Sequence, residues 1–423
     1  MRSVEEQLTR VTAAAVAPRP VRVAISEAQG LLCAEEVIAE RPLPGFDQAA
    51  IDGYAVRSVD VIDAGEIVDD PEEGDADERI VVVLPVVGEV RSGSRTPTRL
   101  QPRQAVRVET GAPLPTLADA VVPLRWTDGG LSKVRVGHGV DTGEYVRRAG
   151  DDVQPGDVAV RAGTVIGAAQ VGLLAAVGRT RVLVHPRPRL SVITVGSELV
   201  DIDRNPGPGQ VYDVNSYALA AAARDAGADV NRVGIVDREP SALREVVEGQ
   251  LIRSEIVVIC GALGGAASEA MGEALTDLGE LTIERIAMHP GSVQGFGKLG
   301  RDEVPTFLLP ANPVSALVAF EVMVRPLIRI ALGKRQPMRR IIRARTVGPI
   351  ASVEGRRGYL RGQLMRDEQT GEYLVQVLGS SETGTSHLLA GLAEANCLVM
   401  VDPEDVDLRT GDEVDVAFLA QRG

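Results

Sequence analysis

Three short stretches place a reactive or backbone-exposing residue at the end of an apolar run, the arrangement in which α/β proteins often grip an anion. In "TVGSELVD" (194–201), Ser197 and Glu198 stand just past a strand-like run, where a carboxylate can act on a bound ligand or cap the next turn. In "LPANPVS" (309–315), Asn312 suits a helix N-cap and Pro313 its first turn, and the free amides there attract negative charge. The third stretch, "CGALGGAASEA" (260–270), lies between a strand-like "EIVVI" and a helix-like "SEAMGEALTDLG", yet it is nearly all alanine and glycine. A capped helix or a plain turn explains each stretch as well as a ligand site does, so local pattern alone does not choose between them.

The elements that must position these loops follow from periodicity. From "RLSVITVG" (189–196) onward, strand-like runs alternate with helix-like ones ("SYALAAAARDAG", "VNRVGIV", "SALREVVEGQLIR", "EIVVICG") up to Gly333. The strand runs are apolar at consecutive positions, which predicts a three-layer α/β domain on a mostly parallel sheet, with ligands at the carboxyl ends of its strands. The loops of interest are then those after Thr194, Ile259 and Pro310. Upstream, apolar positions at helical spacing predict a helical segment that ends near Arg41, where "RPLPGFD" breaks it. From about Tyr54 to Val140, short β-rich runs between Gly, Pro and Asp turns read as an inserted β domain. Within it, residues 66–78 hold eight acidic residues and no basic one, and are expected to form a solvated loop. The expected domains are a discontinuous helical one (1–45 and 141–178), the β insertion (46–140), the α/β domain (179–333) and a C-terminal β domain (338–420). Six basic residues between Lys334 and Arg345 lead into the last; they read as a solvated linker, with an anion-binding face as the sharper alternative.

Composition narrows the function classes. The 423 residues are too many for one compact core. A net charge of −14 disfavours a polyanion, so nucleic acid is not an expected partner. No uncharged apolar run is long enough for a membrane span, and the polar start "MRSVEEQLTR" lacks a secretory pattern, so a cytoplasmic protein without membrane insertion is expected. Cys33, Cys260 and Cys397 are far apart and odd in number, which argues against a disulfide framework and against a zinc site. Only Lys133, Lys298 and Lys334 are lysine, so arginine is the habitual cation.

Taken with "GFDQAAIDGYAV" (45–56), "VETGAPLP" (108–115), "RRAGDDVQPGD" (147–157) and "QVYDVN" (210–215), the ordered set resembles the MoeA molybdenum-insertion proteins and the E domain of gephyrin over nearly the whole chain. The resemblance implies an elongated homodimer of four-part subunits, with a cleft between the β insertion of one subunit and the α/β domain of the other. It implies that the enzymes of the family bind adenylylated molybdopterin and molybdate there, hydrolyse the adenylate with magnesium and insert molybdenum into the dithiolene. Carried over by motif, Asp52, Thr110, Asp152 and Glu198 fall at catalytic positions. Gly261, Glu269, His289, Ser292, Asn312, Pro313 and Ser315 fall at cofactor-binding ones, and Glu198 and Glu269 are the implied magnesium ligands.

The chain departs from the family pattern at several of these places. A loop like TSGGVSxGxxD has become "CGALGGAASEA", with Gly264 for the central hydroxyl, Ala262 for the second glycine and Glu269 for an aspartate. KPGKP appears as "HPGSV" (289–293), PGNP as "PANP" with a methyl group where the backbone is expected to approach ligand or to adopt positive φ, and FDNSAMDGYA as "FDQAAIDGYA" without a serine at Ala49. Arg125 stands where a glutamate is expected. Removing one charge-assisted hydrogen bond from a buried anion costs about 1.5–3 kcal/mol, and several are missing together, so weak or absent molybdenum insertion is the expectation. The leading reading is therefore a gephyrin-like dimeric scaffold that binds a peptide tail of a membrane receptor or of an FtsZ-like division protein and needs no cofactor. The alternative is a working molybdopterin molybdenumtransferase, and a third is a metal-assisted phosphate-ester hydrolase.

Overall fold

The computed structural model describes residues 1–65, 79–96, 98–379 and 389–419; the acidic stretch 66–78 lies outside the described residues. The chain divides into two compact units, Arg22–Gln29 with Glu35–Val182, and Met1–Val21 with Gly30–Ala34 and Leu183–Gly423.

In the first unit, strands β1 (Gly53–Val56), β2 (Val82–Val90), β3 (Ala105–Val108), β4 (Ala120–Pro123) and β5 (Lys133–Val136) form one sheet. Its order is β4-β1-β3-β2-β5, antiparallel except for the β2/β3 pair. Gly53 is required where it stands, because a Cβ there would sit 2.1 Å from the Val122 carbonyl oxygen across the β1/β4 pair.

The first forty residues differ from the helical expectation. One helix, α1 (Val4–Thr12), forms at the start of the second unit, fixed by a capping box in which Ser3 and Glu6 exchange side-chain-to-backbone hydrogen bonds. Past it, Pro18 and Pro20 end any helix, and the β-branched residues that follow take short strands instead: Val21–Ala24, and Val37–Ile38 paired with Val158–Val160. Within residues 141–178 a second helix forms, α2 (Ala168–Ala176).

The α/β core of the second unit holds strands β6 (Arg189–Val195), β7 (Asp229–Val236), β8 (Ile256–Cys260), β9 (Gly279–Arg285), β10 (Val293–Leu299) and β11 (Val304–Leu309). Their order is β7-β6-β8-β11-β10-β9; the first four are parallel, and β10 and β9 add an antiparallel edge. Alternation along β6 and β8 explains the three layers. Leu190, Val192, Ile256 and Val258 enter one core with residues of α1, α3 (Asn215–Ala226), α6 (Pro313–Ala319) and α7 (Arg325–Ala331). Ile193, Val195, Val257 and Ile259 enter another, with residues of α4 (Pro240–Arg253) and α5 (Gly265–Leu275). Each of these side chains is essentially buried, which contributes about 1.5–3 kcal/mol apiece.

The C-terminal strands β12 (Ile341–Thr346), β13 (Arg357–Arg366), β14 (Tyr373–Val377), β15 (Cys397–Val401) and β16 (Glu413–Phe418) run β13-β14-β12-β16-β15, and β15 pairs back onto β13. This closes a small barrel, so each of these five strands has a neighbour on both sides. Three of the six basic residues leading into it meet acids: Arg339 meets Glu321 and Asp225, Arg343 meets Glu413 and Asp415, and Arg345 meets Glu372 and Glu413. All three cysteines are buried, and none is in a disulfide. No helix among the described residues is long and apolar enough to cross a membrane.

Candidate active site

The four parallel strands end in register. Val195 lies opposite Val236, Thr194 opposite Cys260, and Cys260 opposite Leu309. Their following loops therefore open on one edge of the sheet, where the sequence places Glu198, Gly261 and Asn312. Gly261 has φ +99°, and a Cβ there would sit 2.3 Å from the Val195 carbonyl oxygen, so only glycine lets this loop press against β6. Ala311, by contrast, is not among the residues with positive φ. The methyl group of "PANP" thus adds no left-handed strain, which corrects part of the expected damage.

Side chains tie the loops together. Thr194 donates to Asp213 at 2.8 Å in the interior, and Asp213 in turn accepts from the Ser216 amide at 3.0 Å at the start of α3. The Asn215 side-chain amide donates to the Ala311 carbonyl at 2.7 Å, joining α3 to the "PANP" loop, while its Oδ1 is buried without a protein partner. Cys260 donates its thiol hydrogen to the Pro310 carbonyl; burial pushes its pKa far up, so it is a packed thiol and not a nucleophile. Asn312 caps α6 by accepting from the Ser315 amide at 3.0 Å, with Pro313 in the first turn. Glu198 receives a hydrogen bond from Arg238 Nη2 at 2.5 Å. Arg238 and Asn215 are thus placed at this edge, although neither is among the residues carried over by motif.

The "HPGS" turn lies beside a cavity of about 930 Å³ whose lining includes His289, Pro290, Val314, Ser352, Arg361 and Arg409. The Ser292 hydroxyl donates to the Ile286 carbonyl at 2.9 Å and staples the turn. His289 is half-buried, and burial, with Arg356 nearby, holds its pKa below the ordinary 6.5. It is neutral at pH 7 and does not replace a lysine's charge. The sign of the linkage follows. As pH falls from 6.5 through the folded value, the unfolded chain takes up a proton that the folded chain resists, so stability is lost over that window. Unfolding midpoints measured against pH should decline there, and the decline should be shallower in His289→Asn.

In the other unit, Asp52 immediately precedes β1 and Thr110 follows β3. Asp52 Oδ1 accepts from both the Thr110 hydroxyl and the Thr110 amide, each at 2.7 Å. The hydroxyl's bond, then the amide's, hold the Asp52 pKa below the usual carboxylate range. Asp152 is exposed, and its amide donates to the Leu43 carbonyl at 3.0 Å. Arg125 belongs to an aromatic cluster, donating to the Tyr145 hydroxyl at 3.0 Å and lying 4.9 Å from the Trp126 ring centre.

The implied magnesium ligands do not fit a cation as they stand. Glu198 is engaged by an arginine, and Glu269 is exposed on the second turn of α5. Among the described residues, no group of three or more His, Cys, Asp or Glu side chains is arranged to hold a metal.

A doubly covered parallel sheet with a ligand edge, followed by a closed C-terminal barrel, is matched by three family models in chain order: the MoeA N-terminal region over residues 2–178, a probable molybdopterin binding domain over 191–330 and the MoeA C-terminal region over 343–419. This is the domain set of a molybdenum cofactor biosynthesis protein. The chain is 72% identical to Molybdopterin molybdenumtransferase 1 of Mycobacterium tuberculosis, over 100% of both chains, and 35% identical to Molybdopterin molybdenumtransferase 2 of that organism, over 98% of this chain and 99% of the other. A molybdopterin biosynthesis MoeA protein from Pyrococcus horikoshii superimposes with a TM-score of 0.80 at 28% identity, covering 98% of each chain. The chain belongs to the MoeA family.

These matches overturn the leading expectation of a gephyrin-like scaffold for a receptor or FtsZ-like tail. A chain that keeps 72% identity from end to end with a protein named as the transferase is better read by the enzymatic alternative. The substitutions in the glycine-rich loops count less against catalysis than residue type suggests, because residue type does not reveal which of them the backbone accommodates, Ala311 being the plainest case.

Proposed function

We propose that this protein is a molybdopterin molybdenumtransferase, acting on adenylylated molybdopterin and molybdate. The observation that carries the reading is the full-length identity of 72% to Molybdopterin molybdenumtransferase 1 of M. tuberculosis. In the proposed reaction, water adds across the phosphoanhydride to give AMP and the pterin phosphate, and the two dithiolene thiols then form Mo–S bonds with molybdate, one of its oxygens leaving as water with the two thiol protons. In this reading the carboxyl edge of the sheet, with Glu198, Gly261, Asn312, Pro313 and Ser315, is assigned to pterin binding, and Asp52, Thr110 and Asp152 of the other unit are assigned to the reaction on the strength of the family motifs. Magnesium would supply charge neutralisation for the anhydride; because Glu198 is already paired, no step is assigned to the metal here. Asp52 is the strongest candidate for a carboxylate that stays ionised during turnover, since two short hydrogen bonds favour its charged form. Glu269, His289 and Ser292 have weaker claims: Glu269 is exposed, His289 is neutral and Ser292 is bonded to its own turn. A homodimer is the proposed assembly, following the family resemblance, and the cytoplasm the proposed compartment.

Calorimetric titration of the purified protein with adenylylated molybdopterin tests the reading. Saturable binding at one site per chain is expected. A folded protein that gives no heat with this ligand would remove the transferase reading.

A further inference from the structure

The substrate proposed above is polyanionic, yet the pattern positions that should meet it with lysine hold His289 and Ser292 instead, the first neutral and the second bonded to its own turn. A cation is nevertheless present at the ligand edge. Arg238 lies two residues beyond the carboxyl end of β7, next to β6 in the sheet, and its guanidinium turns onto Glu198 in the loop after β6. One Nη2 hydrogen is spent on that carboxylate. The adjoining Nε has no protein partner and is covered while the guanidinium lies on Glu198, so it becomes available only as that pair opens. An Nε–H beside an Nη–H is the fork that binds two oxygens of one oxyanion.

The other acids close in sequence are already engaged. Asp237 Oδ1 accepts from the Arg238 amide at 2.6 Å, and Glu239 caps α4, accepting from the Ser241 and Ala242 amides and from the Ser241 hydroxyl. The α4 amides are therefore taken, and the charge available to a ligand is that of the Arg238 side chain. Arg232, earlier on the same strand, is held by Asp201 and lies 4.1 Å from the Tyr217 ring centre. Arg204 is exposed in the long loop after β6.

We propose that Arg238 is a ligand-binding residue of this site, taking a tetrahedral oxyanion of the substrate, phosphate or molybdate, with Glu198 as the counter-ion that holds it until the anion arrives. The inference rests on the transferase reading. It makes Arg238 a specificity-determining cation that compensates for the absent lysines, and it gives Glu198 a role in gating that charge.

The test is calorimetric titration of the full chain with inorganic pyrophosphate and, separately, with molybdate, in wild type, Arg238→Gln, Arg238→Lys, Glu198→Gln and the Arg238→Gln/Glu198→Gln double variant. Arg238→Gln should weaken at least one probe about tenfold, the scale of a charge-assisted bidentate interaction. Which probe responds distinguishes a phosphate subsite from a molybdate subsite. Arg238→Lys should recover part of the affinity, and it replaces the glutamine variant if that one does not fold. Glu198→Gln should tighten the same probe, and removing Arg238 in that background should still weaken it. Binding of both probes unchanged in Arg238→Gln, a weakening that vanishes once Glu198 is neutral, or a wild type that binds neither probe would each overturn the proposal. The two readings fail separately: a wild type that transfers molybdenum while Arg238→Gln binds as wild type does refutes this inference alone. Probe binding through Arg238 without any transfer refutes the function instead.

Discussion

Gly261→Ala is expected to destabilise the α/β unit by about 2–4 kcal/mol and to disrupt the loop it introduces. Two costs combine. A φ of +99° is unfavourable for a residue with a side chain, and the added methyl group would lie 2.3 Å from the Val195 carbonyl oxygen, a backbone atom that cannot swing aside. Relief requires β6 and β8 to separate at the edge that carries Glu198, so ligand binding should fall together with stability. The neighbouring Gly264 is the control. Its φ of −169° is extended backbone and a Cβ there meets nothing within 4 Å, so Gly264→Ala should cost no more than the roughly 1 kcal/mol of a poorer N-cap on α5, well short of Gly261→Ala. Thermal unfolding of the two variants against wild type checks both statements. Equal midpoints for all three would mean that the loop is not pressed onto β6 as described.

Asp52→Asn is expected to lower the rate of molybdenum transfer by about 100-fold or more while leaving the unfolding midpoint nearly unchanged, the scale for a side chain that acts on the reacting group. Asp52 is exposed, so little packing is removed, whereas its charge and its two-fold acceptance from Thr110 are abolished or weakened. Thr110→Val separates the two effects. It keeps the carboxylate but removes the larger of the two bonds that depress its pKa, so the Asp52 pKa should rise toward the ordinary value of 3.8. The acid limb of the rate profile should then move to higher pH in Thr110→Val. A transfer rate in Asp52→Asn within a few-fold of wild type would assign Asp52 to holding its turn and not to the chemistry.

The sheet is readable from residue types because its strands are buried on both faces. "RLSVITVG" and "EIVVICG" are apolar at nearly every step, and each side of the strand enters a separate core. The opening forty residues mislead for the opposite reason. Their apolar spacing satisfies a helix, but Pro18, Pro20 and the β-branched residues around them leave only Val4–Thr12 in α-helix. At the candidate site, the strand-end rule picks out the loops after β6, β8 and β11. The same rule applied to "VNRVGIVDRE" points to Arg238 in the loop after β7, and its pairing with Glu198, 40 positions away, is one that no local pattern reports. Substitutions in the glycine-rich loops look uniformly harmful because residue type carries no φ value. Gly261 keeps the conformation that only glycine tolerates, and Ala311 occupies a place that does not demand it.

The most direct measurement is a single-turnover reaction of the purified wild-type protein with stoichiometric adenylylated molybdopterin, molybdate and magnesium, following AMP release and pterin-bound molybdenum together. The expected result is one AMP freed for each molybdenum inserted, with both products depending on molybdate and protein. AMP release without molybdenum insertion would make the protein a hydrolase of the anhydride, and neither product from a folded protein that binds the pterin would contradict the transferase reading outright.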